Sequence, residues 1–151
     1  MTTSATRTRL LPASVEQVWA VLAGFDGIST WAPAVVDHSS PMGGPGGGIG
    51  AARRIQTGRT TIVETVESWD PPKRLVYRLE GLPRALRRVT NEWRLEPAGD
   101  RTQVELATIV VVGPRPPQRL VERIALRRME KVSDGLLDGL ADHVARVGDR
   151  P

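Results

Sequence analysis

The stretch TTIVETVESWDPPKRLVYRLEG, residues 60–81, carries the side chain with the most chemical potential in the chain. Ile62, Val66, Leu75, Tyr77 and Leu79 share one parity of a strand alternation, and Glu64 shares it too. A carboxylate on the apolar side of a strand could move a proton in catalysis or fix the polar end of a ligand. Ionised and unpaired, it would be costly to bury, so the pattern demands a partner. If Gly58-Arg59 forms a two-residue hairpin loop, with Gly at the first central position as a type II′ turn prefers, the register follows. Ile55 then faces Ile62, Ala51 faces Val66, and Arg53 faces Glu64, while Gln56–Thr61, Arg54–Val63 and Ala52–Thr65 pair on the other side.

The same treatment of NEWRLEPAGDRTQVEL, with PAGD as the turn, places Trp93 opposite Val104, Asn91 opposite Leu106 and Val89 opposite Thr108. Asn91, Thr108 and Tyr77 join Glu64 and Arg53 on the inner face, and Arg88, Thr90, Glu92, Arg94, Gln103 and Glu105 face solvent. Trp19, Trp31 and Trp93, with Met129, Ser133 and Leu136 from a final helix, complete the candidate ligand-binding wall. A few placed polar groups in a mostly apolar concavity are how small-molecule sites are built. The alternative is a solid core with a structural Arg–Glu pair. Because the desolvation of such a pair can exceed its Coulomb gain, its retention beside Asn91 and Thr108 argues for water or ligand there. Glu64 is also a candidate general acid/base for chemistry next to an enolisable carbonyl, with Arg53, Tyr77 or Asn91 as donors to an oxyanion. An Arg directly opposite favours the ionised carboxylate and makes it a weaker base, which favours binding over catalysis.

Other chemistries find little support. The chain has no Cys and two His, His38 at the end of a strand near a Gly-rich loop and His143 late in the last helix, both expected at the surface. No metal-ligand spacing and no G-x-S-x-G motif occur, so neither metal nor cofactor is expected. PMGGPGGGIG, residues 41–50, lacks the Lys-Ser/Thr of a phosphate-binding loop and is read as a connection between strands. The net charge of +4 comes from Arg residues scattered among acidic ones, with aromatics scarce, so no nucleic-acid partner is expected. RLVERIALRRMEK, residues 119–131, is basic and amphipathic, compatible with an anionic surface, but the same stripe is needed to fill a core. MTTSATRTRL has no apolar signal region, and no apolar run, IVVV at 109–112 included, is long enough to span a bilayer. A cytoplasmic protein, monomer or homodimer, binding a small lipophilic molecule is the expectation.

The elements that must position these residues are legible from their periods. Residues 5–11 suggest a first strand. Ser14 with Gln17 forms a capping box ahead of Val15, Val18, Trp19 and Leu22, one helical stripe, and ISTWAP a second short helix. A strand near 34–40 precedes the Gly-rich loop. Five alternating segments between 49 and 112 are separated by GR, WDPPK, GLPRAL and PAGD. A helix from 117 to about 146 carries Val121, Ile124, Met129, Val132, Leu136, Leu140 and Val144 as its apolar stripe. Gly135 and Gly139 within it imply a close approach to the sheet or room for a ligand. The order is α+β, a curved antiparallel sheet around the last helix, and at 151 residues it fits one domain spanning 1–151.

LPASVEQVWAVLAGFDGISTWAPAV, GIGAARRI, VETVESWDPPKRLVYRLEG, NEWRLEP and the closing helix resemble the polyketide cyclase/dehydrase branch of the START-like (SRPBCC) superfamily. The resemblance implies the helix-grip fold shared with the birch-pollen allergen and the plant abscisic acid receptors, a seven-stranded sheet gripping the C-terminal helix around a lipophilic pocket. Glu64 looks like the pocket-facing Glu that joins the polar network around ligand in those receptors. Their gate sequence is replaced here by the tight TGR turn and their latch histidine motif is absent, so the resemblance does not extend to hormone-type gating.

Overall fold

A computed structural model describes residues 2–114 and 118–148. Strand β1 (Thr2–Leu11) leads through helix α1 (Val15–Ala23) and a 3-10 turn (Phe25–Gly27) to the short helix α2 (Ile28–Trp31). Strands β2 (His38–Met42), β3 (Ala52–Thr57), β4 (Thr60–Asp70), β5 (Arg74–Glu80), β6 (Leu86–Ala98) and β7 (Arg101–Val112) follow, then helix α3 (Gln118–Gly148). Every neighbouring pair is antiparallel, in the order β1-β7-β6-β5-β4-β3-β2. This is the helix-grip arrangement. The first strand is longer than expected, and β2 begins only at His38, so His38 opens that strand instead of ending it beside the Gly-rich loop.

The start of α1 is fixed locally. Ser14 takes extended backbone, its hydroxyl accepts from Gln17 N at 3.2 Å, and Gln17 Oε1 accepts from Ser14 N at 2.8 Å. Such a cap is worth about 1 kcal/mol. Val15, Val18, Trp19 and Leu22 then go into the core with Leu11, Leu75, Trp93, Val104, Leu106 and Leu140.

Two turns set the registers. Gly58 has φ +60 and Gly99 φ +68 with no positive φ in the residue that follows, the signature of type II′ loops. The first gives Arg53↔Glu64 and Ile55↔Ile62, as the sequence predicts. The second corrects the β6–β7 expectation by two residues: Asn91 faces Thr108, Trp93 faces Leu106 and Leu95 faces Val104. Gly99–Asp100 alone make the turn, so Pro97 and Ala98 remain in strand instead of joining it. Parity is unchanged, and the inward residues stay inward, but Thr90, expected outside, is buried.

WDPPK is likewise only partly a turn, because Trp69 and Asp70 belong to β4. A bulge between Val66 and Ser68 skips Glu67, so Trp69 pairs with Leu75 and reaches the core side, edge-on to Trp19 at 5.3 Å.

Helix α3 also departs from its expected face. Ile124 and Val132 are exposed, and the buried line runs through Ala125, Ser133, Leu136, Leu137, Leu140 and Val144. Small residues at Ala125 and Ser133 let the backbone lie close to its neighbours. The two glycines approach α2 and the segment after it rather than the sheet. A Cβ on Gly139 would overlap the Trp31 carbonyl oxygen and sit 3.1 Å from Ala32 Cα, and one on Gly135 would sit 2.7 Å from Val35 Cγ2. Along its outer edge α3 is tied to β1 by Arg7–Glu130 at 3.4 Å, Arg7–Asp134 at 3.2 Å, and Arg9–Asp138. Among the described residues no helix is long and apolar enough to cross a membrane.

Candidate functional site

Between α3 and the inner face of the sheet lies a cavity of about 250 Å³. Its buried end is formed by Glu64 of β4, Tyr77 of β5 and Asn91 of β6. Ile55, Ile62 and Leu79 of the sheet, Ile28 and Val36, and Met129 and Leu136 of α3 make apolar walls. Thr57, Thr60, Leu82, Arg128 and Val132 lie toward its more exposed side.

The inner alternation of β3 and β4 brings Arg53 and Glu64 together as the register requires. Arg53 Nε donates to Glu64 Oε1 at 2.7 Å, and both side chains are almost fully buried, 3% and 4% exposed. Arg53 Nη1 also donates to the Phe25 carbonyl at 2.5 Å, and its guanidinium carbon lies 3.8 Å from the Phe25 ring centre and 4.8 Å from that of Tyr77. The cation is therefore held on two aromatic faces and does not border the cavity. Glu64 does, and the hydrogen bond from Arg53 goes to Oε1, with none recorded to its second oxygen, Oε2, among the described residues.

A second network stands beside the pair. Thr108 Oγ1 donates to Asn91 Oδ1 at 2.6 Å, and Asn91 Nδ2 and Trp93 Nε1 both donate to the Tyr77 hydroxyl, at 3.4 and 3.1 Å. Burial, and after it the Glu64 carboxylate, push the Tyr77 phenol above its ordinary value, against the opposing pull of Arg53. Tyr77 is thus a neutral hydroxyl at neutral pH.

Of the predicted site residues, Glu64, Tyr77, Asn91, Met129 and Leu136 border the cavity. Arg53 and Thr108 stand behind them as partners, Trp93 reaches the network through its indole N–H, and Ser133 is buried on α3 without bordering the cavity. Trp31 packs edge-on against Trp93 at 6.0 Å, and Trp19 against Trp69, so both fill core instead of facing the cavity. Sequence reasoning missed Phe25, Val35 and Val36, which lie in non-periodic connections with no pattern to reveal them, and Leu82 in the β5–β6 loop. Arg128 carried a signal, one helical turn before Val132. Gly44, Gly48 and Gly50 of the Gly-rich loop have positive φ, and a Cβ on Gly47 would lie 3.7 Å from the Trp69 ring. No three His, Asp or Glu side chains among the described residues come together as a metal-binding group.

The family model described as polyketide cyclase/dehydrase and lipid transport matches residues 2–145, and the chain belongs to that family. Solved structures share its fold. The ZhuI aromatase/cyclase from Streptomyces sp. R1128 is similar at 19% identity and TM-score 0.77, over 97% of this chain and 95% of that one. A norcoclaurine synthase of Thalictrum flavum, in complex with a transition-state analogue, is similar at 14% identity and TM-score 0.80, over 99% and 98%. A protein of Nitrosospira multiformis is similar at 22% identity and TM-score 0.79, over 98% and 100%. At these identities the likeness establishes the fold alone. No curated protein sequence matches the chain.

Proposed function

We propose that residues 1–151 act as one ligand-binding domain that takes up a small lipophilic molecule, of polyketide, lipid or isoprenoid type, in the cavity between sheet and α3. The observation that carries this reading is the unpartnered Oε2 of Glu64 at the buried end of an otherwise mostly apolar cavity. A carboxylate there contributes little net stability, but it gives an apolar guest one oriented polar contact. The family description, which includes lipid transport, supports the same reading. Native mass spectrometry of the protein as isolated tests it. A stoichiometric co-purified small molecule, released on denaturation, is the expected result. A mass equal to the bare chain, together with no uptake of added lipophiles, contradicts it.

The second reading is catalysis, a polyketide cyclase or dehydratase in which Glu64 moves the proton and Tyr77 donates to the developing oxyanion. It draws on the same free oxygen and on the family's description. Against it, one oxygen of the carboxylate is already engaged by Arg53 at 2.7 Å, inside a buried ion pair. Incubation with an acyl-thioester polyketide mimic decides between them. Turnover by the wild type that is lost in Glu64→Gln while binding persists supports catalysis. Binding by both without turnover leaves the carrier reading.

A further inference from the structure

The hydrogen-bond inventory at the buried end of the cavity restricts what can occupy it. Tyr77 Oη accepts from Trp93 Nε1, which can only donate, and from Asn91 Nδ2. Its own O–H must point elsewhere, and no hydrogen bond among the described residues joins it to Glu64. Asn91 Oδ1 is taken by Thr108. Glu64 Oε1 is taken by Arg53, which leaves Oε2 as an acceptor. A guest therefore meets the Tyr77 O–H and the second Asn91 N–H as donors, and Glu64 Oε2 as an acceptor. The local charge is balanced, because Arg53 neutralises Glu64 from behind.

A hydroxyl group is the simplest neutral group that can donate to the one acceptor and accept from the donors beside it. A carboxylate would set its charge against Oε2 while Arg53 stays out of reach behind the Phe25 and Tyr77 rings. An ammonium would leave the Tyr77 O–H without an acceptor and add uncompensated charge in a desolvated place. The volume of about 250 Å³ lies below the usual range of roughly 300–1,000 Å³, which suits one or two rings or a short branched chain and not a diacyl lipid. We propose that the site selects a small, neutral, hydroxyl-bearing lipophile (an alcohol, phenol or enol) and rejects the matching carboxylate. This rests on the ligand-binding reading above and goes beyond it in naming the ligand's chemistry.

Isothermal titration of the full chain with naphthalene, 1-naphthol and 1-naphthoate tests the proposal, using wild type, Glu64→Gln and Tyr77→Phe. In the wild type, naphthol should bind about 10-fold or more tighter than naphthalene, since hydrogen bonds to charged groups are worth that much, and naphthoate should not bind. Tyr77→Phe removes one donor without changing charge, and should shrink the naphthol advantage without admitting naphthoate. Glu64→Gln replaces the free acceptor by an amide donor and unmasks the Arg53 charge, so preference should pass from naphthol to naphthoate. Wild-type binding of naphthoate as tight as naphthol, or a naphthol advantage unchanged in Tyr77→Phe, overturns the hydroxyl assignment while leaving the ligand-binding reading intact. Failure of all three compounds to bind the wild type overturns both.

Discussion

Arg53 and Glu64 form a buried ion pair at 2.7 Å, and substitution can separate its part in stability from its part in binding. Arg53→Met leaves a buried carboxylate unpaired and should cost roughly 3–5 kcal/mol in urea denaturation, whereas the double variant Arg53→Met/Glu64→Leu should recover most of that loss. A double variant as unstable as the single would show that the pair is structural. Tyr77, the only Tyr in the chain, gives a second handle, because the tyrosinate absorbance then reports one group. Its phenol is raised from 10.0 in the folded state, first by burial and then by Glu64. Below pH 10 both states hold the proton and stability is unaffected by it. Above, the unfolded state releases a proton that the native state retains, so stability falls as pH rises. The native absorbance should stay flat through pH 10 and rise only together with loss of the circular-dichroism signal. A reversible titration near 10 in the folded protein would show that the hydroxyl is solvated.

At the scale of elements, α3 comes close enough to α2 that Gly139 has no room for a Cβ. Gly→Ala inside a helix ordinarily stabilises by about 1 kcal/mol. At Gly139 the new Cβ meets backbone, the Trp31 carbonyl and Ala32 Cα, and neither can rotate away. Gly139→Ala should therefore destabilise by about 1–3 kcal/mol, measured by thermal melting, and Gly135→Ala by less, because its obstacle is a Val35 methyl. A stabilised Gly139→Ala would mean that the helix stands off from α2. How far the sequence disclosed such features depended on what fixes them. The Arg53–Glu64 facing was legible because a Gly at the first turn position determines both loop length and register. The β6–β7 offset was not, since PAGD can make a four-residue or a two-residue turn and only the backbone at Gly99 decides. The bulge at Glu67 leaves no mark on the alternation before it, so the inward turn of Trp69 could not be seen. On α3 the pattern pointed to Ile124 and Val132, but the helix buries the smaller Ala125 and Ser133, a choice made by backbone proximity and not by hydrophobicity.

Over the whole molecule, α3 is held differently along its length. Arg7 and Arg9 pair with Glu130, Asp134 and Asp138, and Leu136, Leu137, Leu140 and Val144 are buried, while Leu120 and Ile124 nearer its start are exposed. The three ion pairs are largely solvated and worth about 0–1 kcal/mol each, so the Arg7→Ala/Arg9→Ala variant should lose no more than about 3 kcal/mol, and less at high salt. A larger loss would make these contacts the clamp that holds the grip closed. Binding itself should appear as stabilisation, about 2.7 kcal/mol at a ligand concentration 100 times Kd. The proposed binding place for a lipophile is the space between sheet and α3. Leu136 projects into it from the helix, so Leu136→Trp should fill it while the far side of the core stays as it is. The decisive measurement is a fluorescence titration of wild type and Leu136→Trp with the same apolar fluorophore, each protein verified as folded. Saturable one-to-one binding by the wild type that disappears in Leu136→Trp is the predicted result; equal binding by both proteins would place the ligand elsewhere and contradict the account.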